Sequence, residues 1–486
     1  MNATAVALLR STYPILIISD SPNETALAVD KVSYEPILGS KRPVYMLFRQ
    51  RGIMETDKCA FLSFDSIEQM KTIFLEQPGL PVPIKVVNLT KNTTMQHDIA
   101  RALQDVVWQR TNEMEALHKE SIRLNEEEPP RKELENGHAP LRVLFLTSAF
   151  TSVLQHMSRD VSEAFKDLGH ETKTVCESNA WSRKTDITIY RVANEFKPHM
   201  IWMMDYTRAA LGGPNAFRNT YVCSWIQDDL PHLWQPQAVQ SQSPFDFVFS
   251  MFPALSKKLS QFGYQKVYNF PVGVNDNIFS PGPVKPEYKC DIAFPCNIGS
   301  AATATDQNRL KRRIDPVIWA VEMGLDIKLW GDGWEMFPQL AEGRWMGPVR
   351  NGPDLADVYR SAKYTLHANS DTNLHQRVFE AIGCMSMPLV YGLPHDATDF
   401  GMGTENLILN TEGHMIRFMD KQDFANKVMY FKKRDDQRAA HIYNAFRYSC
   451  TGDTALNARP VNTYKARIHD LLEEAINWKK GKKVGH

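Results

Sequence analysis

LRVLFLT, residues 141–147, is a strand-length apolar run without the in-out alternation of a strand that shows one face to water. A strand of that kind is buried on both faces. Directly after it, Met157, Val161, Ala164, Phe165 and Leu168 recur at helical spacing until Gly169 interrupts them, which reads as an amphipathic helix. Similar runs follow in HMIWMMD (199–205), TYVCSWI (220–226), FDFVFSM (245–251) and KVYNFPV (266–272), with helical stretches between them. Non-alternating apolar strands separated by helices imply a parallel sheet covered on both faces, hence one doubly wound α/β domain.

A second series begins at CDIAFPC (290–296). It continues through a helix near 308–323, LDIKLWG (325–331), a helix near 353–362, KYTLHAN (363–369), the helical HQRVFEAIGC (375–384), MPLVYG (387–392) and ENLILN (405–410). Between the two series lies PVGVNDNIFSPGPVKPEY (271–288), whose Pro, Gly and Asn content marks a hinge. The fold class expected is therefore α/β with two Rossmann-like doubly wound domains, at 141–275 and 276–462. Residues 1–95, with strands at 13–20 and 42–48 and an amphipathic helix at 66–76, form an accessory α/β region. Residues 96–140 form a helical, charged linker, and 463–486 a C-terminal helix crossing back to the first Rossmann-like domain.

The totals exclude several classes. At roughly 100–200 residues per domain, 486 residues supply two to four domains with full cores. Lys+Arg and Asp+Glu balance at 56 each, so the chain lacks the broad positive field that gathers nucleic acid or an anionic membrane. Seven scattered cysteines form no CxxC pair and read as buried thiols in a reducing compartment, not disulfides or a zinc site. No apolar run reaches 18 residues, and Arg10 interrupts what would be a signal peptide's apolar core. The expectation is a cytoplasmic protein with no membrane span.

Ligands of doubly wound sheets bind beyond the carboxyl ends of the strands, where helix N-termini face an anion. HQRVFEAIGC starts at such a position, and Glu380 stands one turn in, among Val378, Phe379, Ala381 and Ile382. A carboxylate there can accept both hydroxyls of a ribose. Arg377, three residues earlier on the same face, can fork onto a phosphate, although an intrahelical ion pair with Glu380 would explain the spacing as well. DQNRLKRRIDPVI (306–318) crowds Arg309, Lys311, Arg312 and Arg313 into the first turns of a helix. The helix dipole disfavours cations there unless an anion binds; a solvated basic face is the alternative. LWGDGW (329–334) ends a strand in Gly331 and Gly333, which permit close backbone approach, a signal any tight strand exit would share. In the first domain, Asp228 and Asp229, with His232 behind them, could bind a hydroxyl or act as a base, or cap the next helix.

These stretches resemble the nucleotide-sugar-dependent glycosyltransferases of the two-Rossmann GT-B architecture. DFVFSMFPALSKKLSQFGYQKVYNFPVGVNDNIFSP (246–281) is similar to the end of that family's first domain and its entry into the hinge. LWGDGW and RVFEAIGCM resemble the CgeB-like (spore maturation protein) branch of family-4-type transferases, and the likeness runs from about 141 to 475. The resemblance implies a nucleotide-diphosphate sugar donor held by the second domain. Glu380 would grip the ribose, Arg377 and the 309–313 cluster would face the diphosphate, and WMGPV (345–349) would lie against the base. It further implies retention of configuration, no required metal and no tightly bound cofactor. The sequence departs from the common pattern at Thr372, where many members carry a glutamate, and at Gly383, one residue ahead of the usual glycine.

The activity so implied is transfer of a sugar to a glycan or protein acceptor, such as a surface polysaccharide or flagellin. Two rivals stay open: an inactive GT-B-fold binding or assembly protein that docks a partner through residues 1–136, and a sugar-nucleotide epimerase.

Overall fold

Among the described residues, three parallel sheets organise the chain. The computed structural model describes residues 14–19, 42–47, 59–90, 92–127, 140–147, 152–176, 185–212, 217–298, 304–369, 375–392, 414–452 and 461–481. By internal contacts the chain divides into two units, Met1–Ser158 with His170–Phe247, and Arg159–Gly169 with Val248–His486.

The first sheet contains β1 (Ile15–Ile18), β2 (Arg42–Leu47), β3 (Cys59–Phe64) and β4 (Lys85–Asn88) in the order β3-β2-β1-β4. Helix α1 (Ile67–Glu76) starts at Ser66, whose hydroxyl accepts from the Gln69 N–H at 3.1 Å. The Gln69 side chain in turn accepts from the Asp65 N–H at 2.5 Å, just ahead of the cap, so the helix start is tied to the chain that enters it in the manner of a capping box. Leu16, Ile18, Tyr45, Phe64, Met70 and Phe74 share one core.

Residues 93–127 do more than link. They form α2 (Thr93–Glu127), 35 residues and about 52 Å long at 1.5 Å per residue. Its first half buries Ile99, Leu103 and Val106 in the core of the first sheet, and Arg110 donates to the carbonyls of Phe74 and Leu80. Its second half meets α4, defined below: Glu113 pairs with Arg191 at 2.5 Å, and Asn194 Nδ2 donates to the Leu117 carbonyl at 3.0 Å. The charge of this stretch suggests a solvated linker; most of its charged residues are exposed, while Arg110 and Glu113 take part in the packing.

The second sheet comprises β5 (Arg142–Thr147), β6 (Glu171–Cys176), β7 (Met200–Met204), β8 (Tyr221–Ile226), β9 (Asp246–Ser250) and β10 (Val267–Asn269), in the order β10-β9-β8-β7-β5-β6. The helices are α3 (Ser152–Asp167), α4 (Asp186–Phe196) and α5 (Pro253–Phe262); the division between the units falls inside α3 and again inside β9. Strands β7, β8 and β9 are buried at every residue, which is why they read as uninterrupted apolar runs. Strand β6, ETKTVC, lies at the edge and buries only Val175; nothing in its composition announces a strand.

The third sheet holds β11 (Cys290–Pro295), β12 (Ile327–Trp330), β13 (Ala362–His367), β14 (Met387–Tyr391) and β15 (Ile416–Phe418), in the order β12-β11-β13-β14-β15. Its helices are α6 (Ala304–Glu322), α7 (Pro353–Arg360), α8 (Gln376–Gly383), α9 (Lys421–Lys432), α10 (Asp435–Phe446) and α11 (Tyr464–Gly481). The expected strand at 405–410 lies outside the described residues. The hinge is laced to residues 461–467: Val274 N–H donates to Asn462 O at 2.9 Å and Tyr464 N–H to Val274 O at 3.0 Å. Arg467 donates to the carbonyls of Pro271 and Val272.

Candidate functional site

Helix α8 begins beyond the carboxyl end of β13 and buries seven of its eight residues, Glu380 among them at 3% exposure. A carboxylate taken out of water must be hydrogen-bonded, and Glu380 is. Asn351 Nδ2 donates to Oε1 at 3.1 Å and the Tyr359 hydroxyl to Oε2 at 3.2 Å. Burial pushes the Glu380 carboxyl up to about 7, with the Asp160 carboxylate adding to the rise, while the Asn351 bond, Arg377 and the Tyr359 bond oppose it.

Asn351 is itself held. Arg159 Nη2 donates to its Oδ1 at 3.0 Å, and the same guanidinium donates to Asp160 Oδ1 through Nε at 2.8 Å and Nη2 at 2.7 Å. Asp160, buried on α3, also accepts from Asn275 Nδ2 at 3.2 Å and Gln376 Nε2 at 3.3 Å. Burial raises its carboxyl to about 6, against the pull of Arg159. Five segments thus meet in one chain of polar side chains: α3, the hinge, the loop before α7, α7 itself and α8.

The arginines divide by task. Arg377 is half-buried on α8. Burial disfavours its cation, but Cys296, Tyr359 and Glu380 outweigh that and hold its pKa above the ordinary value. Arg312 donates to the carbonyls of Asn369 at 2.8 Å, Tyr391 at 2.7 Å and Gly392 at 3.0 Å, and lies 4.0 Å from the Tyr391 ring centroid. It braces the exits of β13 and β14. Arg313 Nη1 donates to Asn297 O at 2.8 Å beyond β11, and its buried Nε finds no partner among the described residues. Arg309 is half-buried on the same helix.

Gly331, at φ +113°, is required by close packing: an added Cβ would lie 2.6 Å from Asn297 Oδ1 and 2.7 Å from the Cys296 carbonyl. Gly333 backs onto the Ile298 carbonyl in the same way. The two glycines therefore press the β12 exit onto the β11 exit. Trp345 Nε1 donates to Gly331 O at 2.9 Å, and Trp345 and Met346 are each 39% exposed beside that turn.

In the first unit, Asp228, Asp229 and His232 are all exposed. Asp229 Oδ1 accepts from Trp234 Nε1 at 2.5 Å; His232 Nε2 lies 2.6 Å from the Asp205 carbonyl and its ring stacks on Tyr206. Asp205 links His232 to Asp228, its Oδ1 accepting from the N–H groups of Gln227 at 2.6 Å and Asp228 at 3.3 Å. It sits at φ 57° and is buried, which raises its carboxyl to about 6. No spacing signal singles it out; its mark is a charged residue ending an apolar strand run.

Residues 312–473 match the family model described as glycosyl transferase-like. The matched segment includes Arg312, Arg313, Gly331, Gly333, Asn351, Tyr359, Arg377 and Glu380. Among solved structures, a glycosyltransferase from Rickettsia africae ESF-5 is similar, with a TM-score of 0.51 and 12% identity over 70% of this chain and 99% of that one. The catalytic domain of starch synthase IV from Arabidopsis thaliana aligns with a TM-score of 0.47 and 9% identity over 70% of this chain and 100% of that one. No curated protein matches the sequence. The fold is GT-B, with two Rossmann-like domains. Among the described residues, Cys223, Cys290, Cys296, Cys384 and Cys450 are buried thiols outside any disulfide, and no helix is long and apolar enough to cross a membrane.

Proposed function

We propose that the protein is a glycosyltransferase that takes a sugar from a nucleoside-diphosphate sugar and passes it to a glycan or protein acceptor. The observation that carries this reading is Glu380: a buried carboxylate, one turn into a helix that opens at the carboxyl edge of a parallel sheet, inside the segment that matches a glycosyl transferase-like family. Each carboxylate oxygen offers two acceptor directions. Asn351 and Tyr359 take one each, which leaves one per oxygen for the two hydroxyls of a ribose.

In this reading the half-buried Arg377, Arg309 and Arg313 attract the diphosphate, while Arg312 keeps the strand ends in place. The exposed faces of Trp345 and Met346 receive the base. Charge developing on the leaving diphosphate is stabilised most where donors are already oriented, and guanidinium groups beside a helix N-terminus supply that without a metal. Asp228, Asp229 and His232 serve the acceptor side. Retention of configuration and kinship with the CgeB-like branch belong to the same reading, as does a cytoplasmic setting, which the unpaired buried thiols support.

Titration calorimetry with UDP, ADP, GDP and CDP, run with EDTA, tests it. One nucleoside diphosphate binds and Glu380→Ala abolishes the heat; no heat from any of the four would overturn the reading. Proton NMR of the sugar released during slow donor hydrolysis then reports the anomeric outcome.

A further inference from the structure

Asn351 can face Arg159 in only one way. A guanidinium donates and never accepts, so Asn351 must offer it Oδ1, at 3.0 Å from Nη2. That choice turns Nδ2, a donor, toward Glu380 Oε1 at 3.1 Å. Tyr359 presents a second donor to Oε2. Glu380 is therefore met by a donor-only amide group on Oε1 and by the Tyr359 hydroxyl on Oε2, so both oxygens of the carboxylate are satisfied and Oε1 cannot carry the proton toward Asn351.

We infer that Arg159 and Asn351 are positioning residues for Glu380, a donor-only relay that keeps the buried carboxyl ionised and accepting. This rests on the proposed role of Glu380 toward a ribose. Arg159 acts twice: it fixes the amide of Asn351, and it neutralises Asp160, whose negative charge otherwise works against Glu380. The other groups facing Glu380 are Arg377 and Cys384 from its own helix, Tyr359 from α7 and Tyr464 from α11. Of these only Arg377 is a cation, so the relay through Asn351 is the adjustable part of the surroundings. Without Arg159, the Asn351 amide is free to turn over and offer Oδ1 to a protonated Glu380, and the neutral acid becomes the comfortable form.

The test reads the proton directly. Infrared difference spectra recorded across pH, with Glu380→Gln subtracted, follow the protonated carboxyl stretch of Glu380 without any ligand. The wild-type midpoint falls near neutrality. Arg159→Met moves it up by about one pH unit, Arg159→Lys, which keeps a donor-only cation, leaves it in place, and Asn351→Asp, which sets a second carboxyl against the first, also moves it up. The pH midpoint for binding a nucleoside diphosphate moves in parallel, with affinity recovered at alkaline pH. A purely structural role would instead weaken binding equally at all pH. Unmoved midpoints in both Arg159→Met and Asn351→Asp overturn the inference, and Asn351→Asp decides alone if the methionine variant does not fold. Should wild-type protein bind no nucleotide, the proposed function fails while the infrared titration still decides the relay.

Discussion

Replacing Glu380 with Gln should make the protein more stable and inactive at once. The ordinary carboxyl value of 4.5 rises to about 7 at this site, chiefly through burial. Each pKa unit corresponds to about 1.36 kcal/mol, so ionised Glu380 costs the folded state about 3 kcal/mol at pH 8. The sign follows from linkage: the folded protein holds this proton more tightly than the unfolded chain, so the contribution is favourable below about 4.5 and is lost as pH rises through about 7. Glutamine keeps the shape, accepts from Asn351 through its carbonyl, and donates through its amide to the Tyr359 oxygen, so it removes the charge without orphaning either neighbour. At pH 8 the variant should gain about 2–3 kcal/mol, or roughly 5 °C or more in apparent melting temperature; at pH 4.5 the gain should vanish. Differential scanning calorimetry at the two pH values reads the difference, and calorimetric titration shows nucleotide affinity lost in the same variant. A gain of equal size at both pH values, or a loss at pH 8, would refute the assignment of Glu380 as a strained, charged group kept for function.

Two substitutions probe the scaffold around it. Gly383→Ala places a Cβ 2.4 Å from the Phe279 carbonyl and 3.2 Å from Val274 Cγ2, so the hinge must shift; a loss of about 2–3 kcal/mol is expected in urea unfolding, and an unchanged midpoint would mean the hinge yields freely. Arg208→Met strands the buried Asp246, which Arg208 meets at 2.8 Å and 3.0 Å through Nε; the loss should reach about 3–5 kcal/mol, with part regained by adding Asp246→Leu, and no recovery in the double variant would count against an unpaired charge as the cause.

The parallel sheets are legible in the chain because their strands are enclosed on both faces. TYVCSWI is apolar at nearly every position for the reason that β8 is buried at every position. Strand β6 escapes, since an edge strand that buries only Val175 shows no apolar run, and so does β15, whose three residues are too few to show a period. Glu380 stands out as an acid in a run of core residues, but its partners do not. Tyr359 blends into the apolar face of α7, Asn351 looks like an ordinary turn residue before Gly352 and Pro353, and Asp160 lies 220 positions away on α3. Hydrogen-bond partners from distant segments share no periodicity, so spacing cannot reveal them. The arginine cluster shows the converse limit: its presence is plain, but only the fold reveals that Arg312 is spent on the carbonyls of Asn369, Tyr391 and Gly392.

The lacing of residues 271–274 by 461–467 bears on the birth of the protein. Arg467 and Asn462 secure the carbonyls of Pro271 and Val272 and the Val274 amide, so the hinge waits nearly two hundred residues of synthesis for this clasp. While the ribosome is still making α9 and α10, the strands of the third sheet have been synthesised but the hinge lacks this clasp.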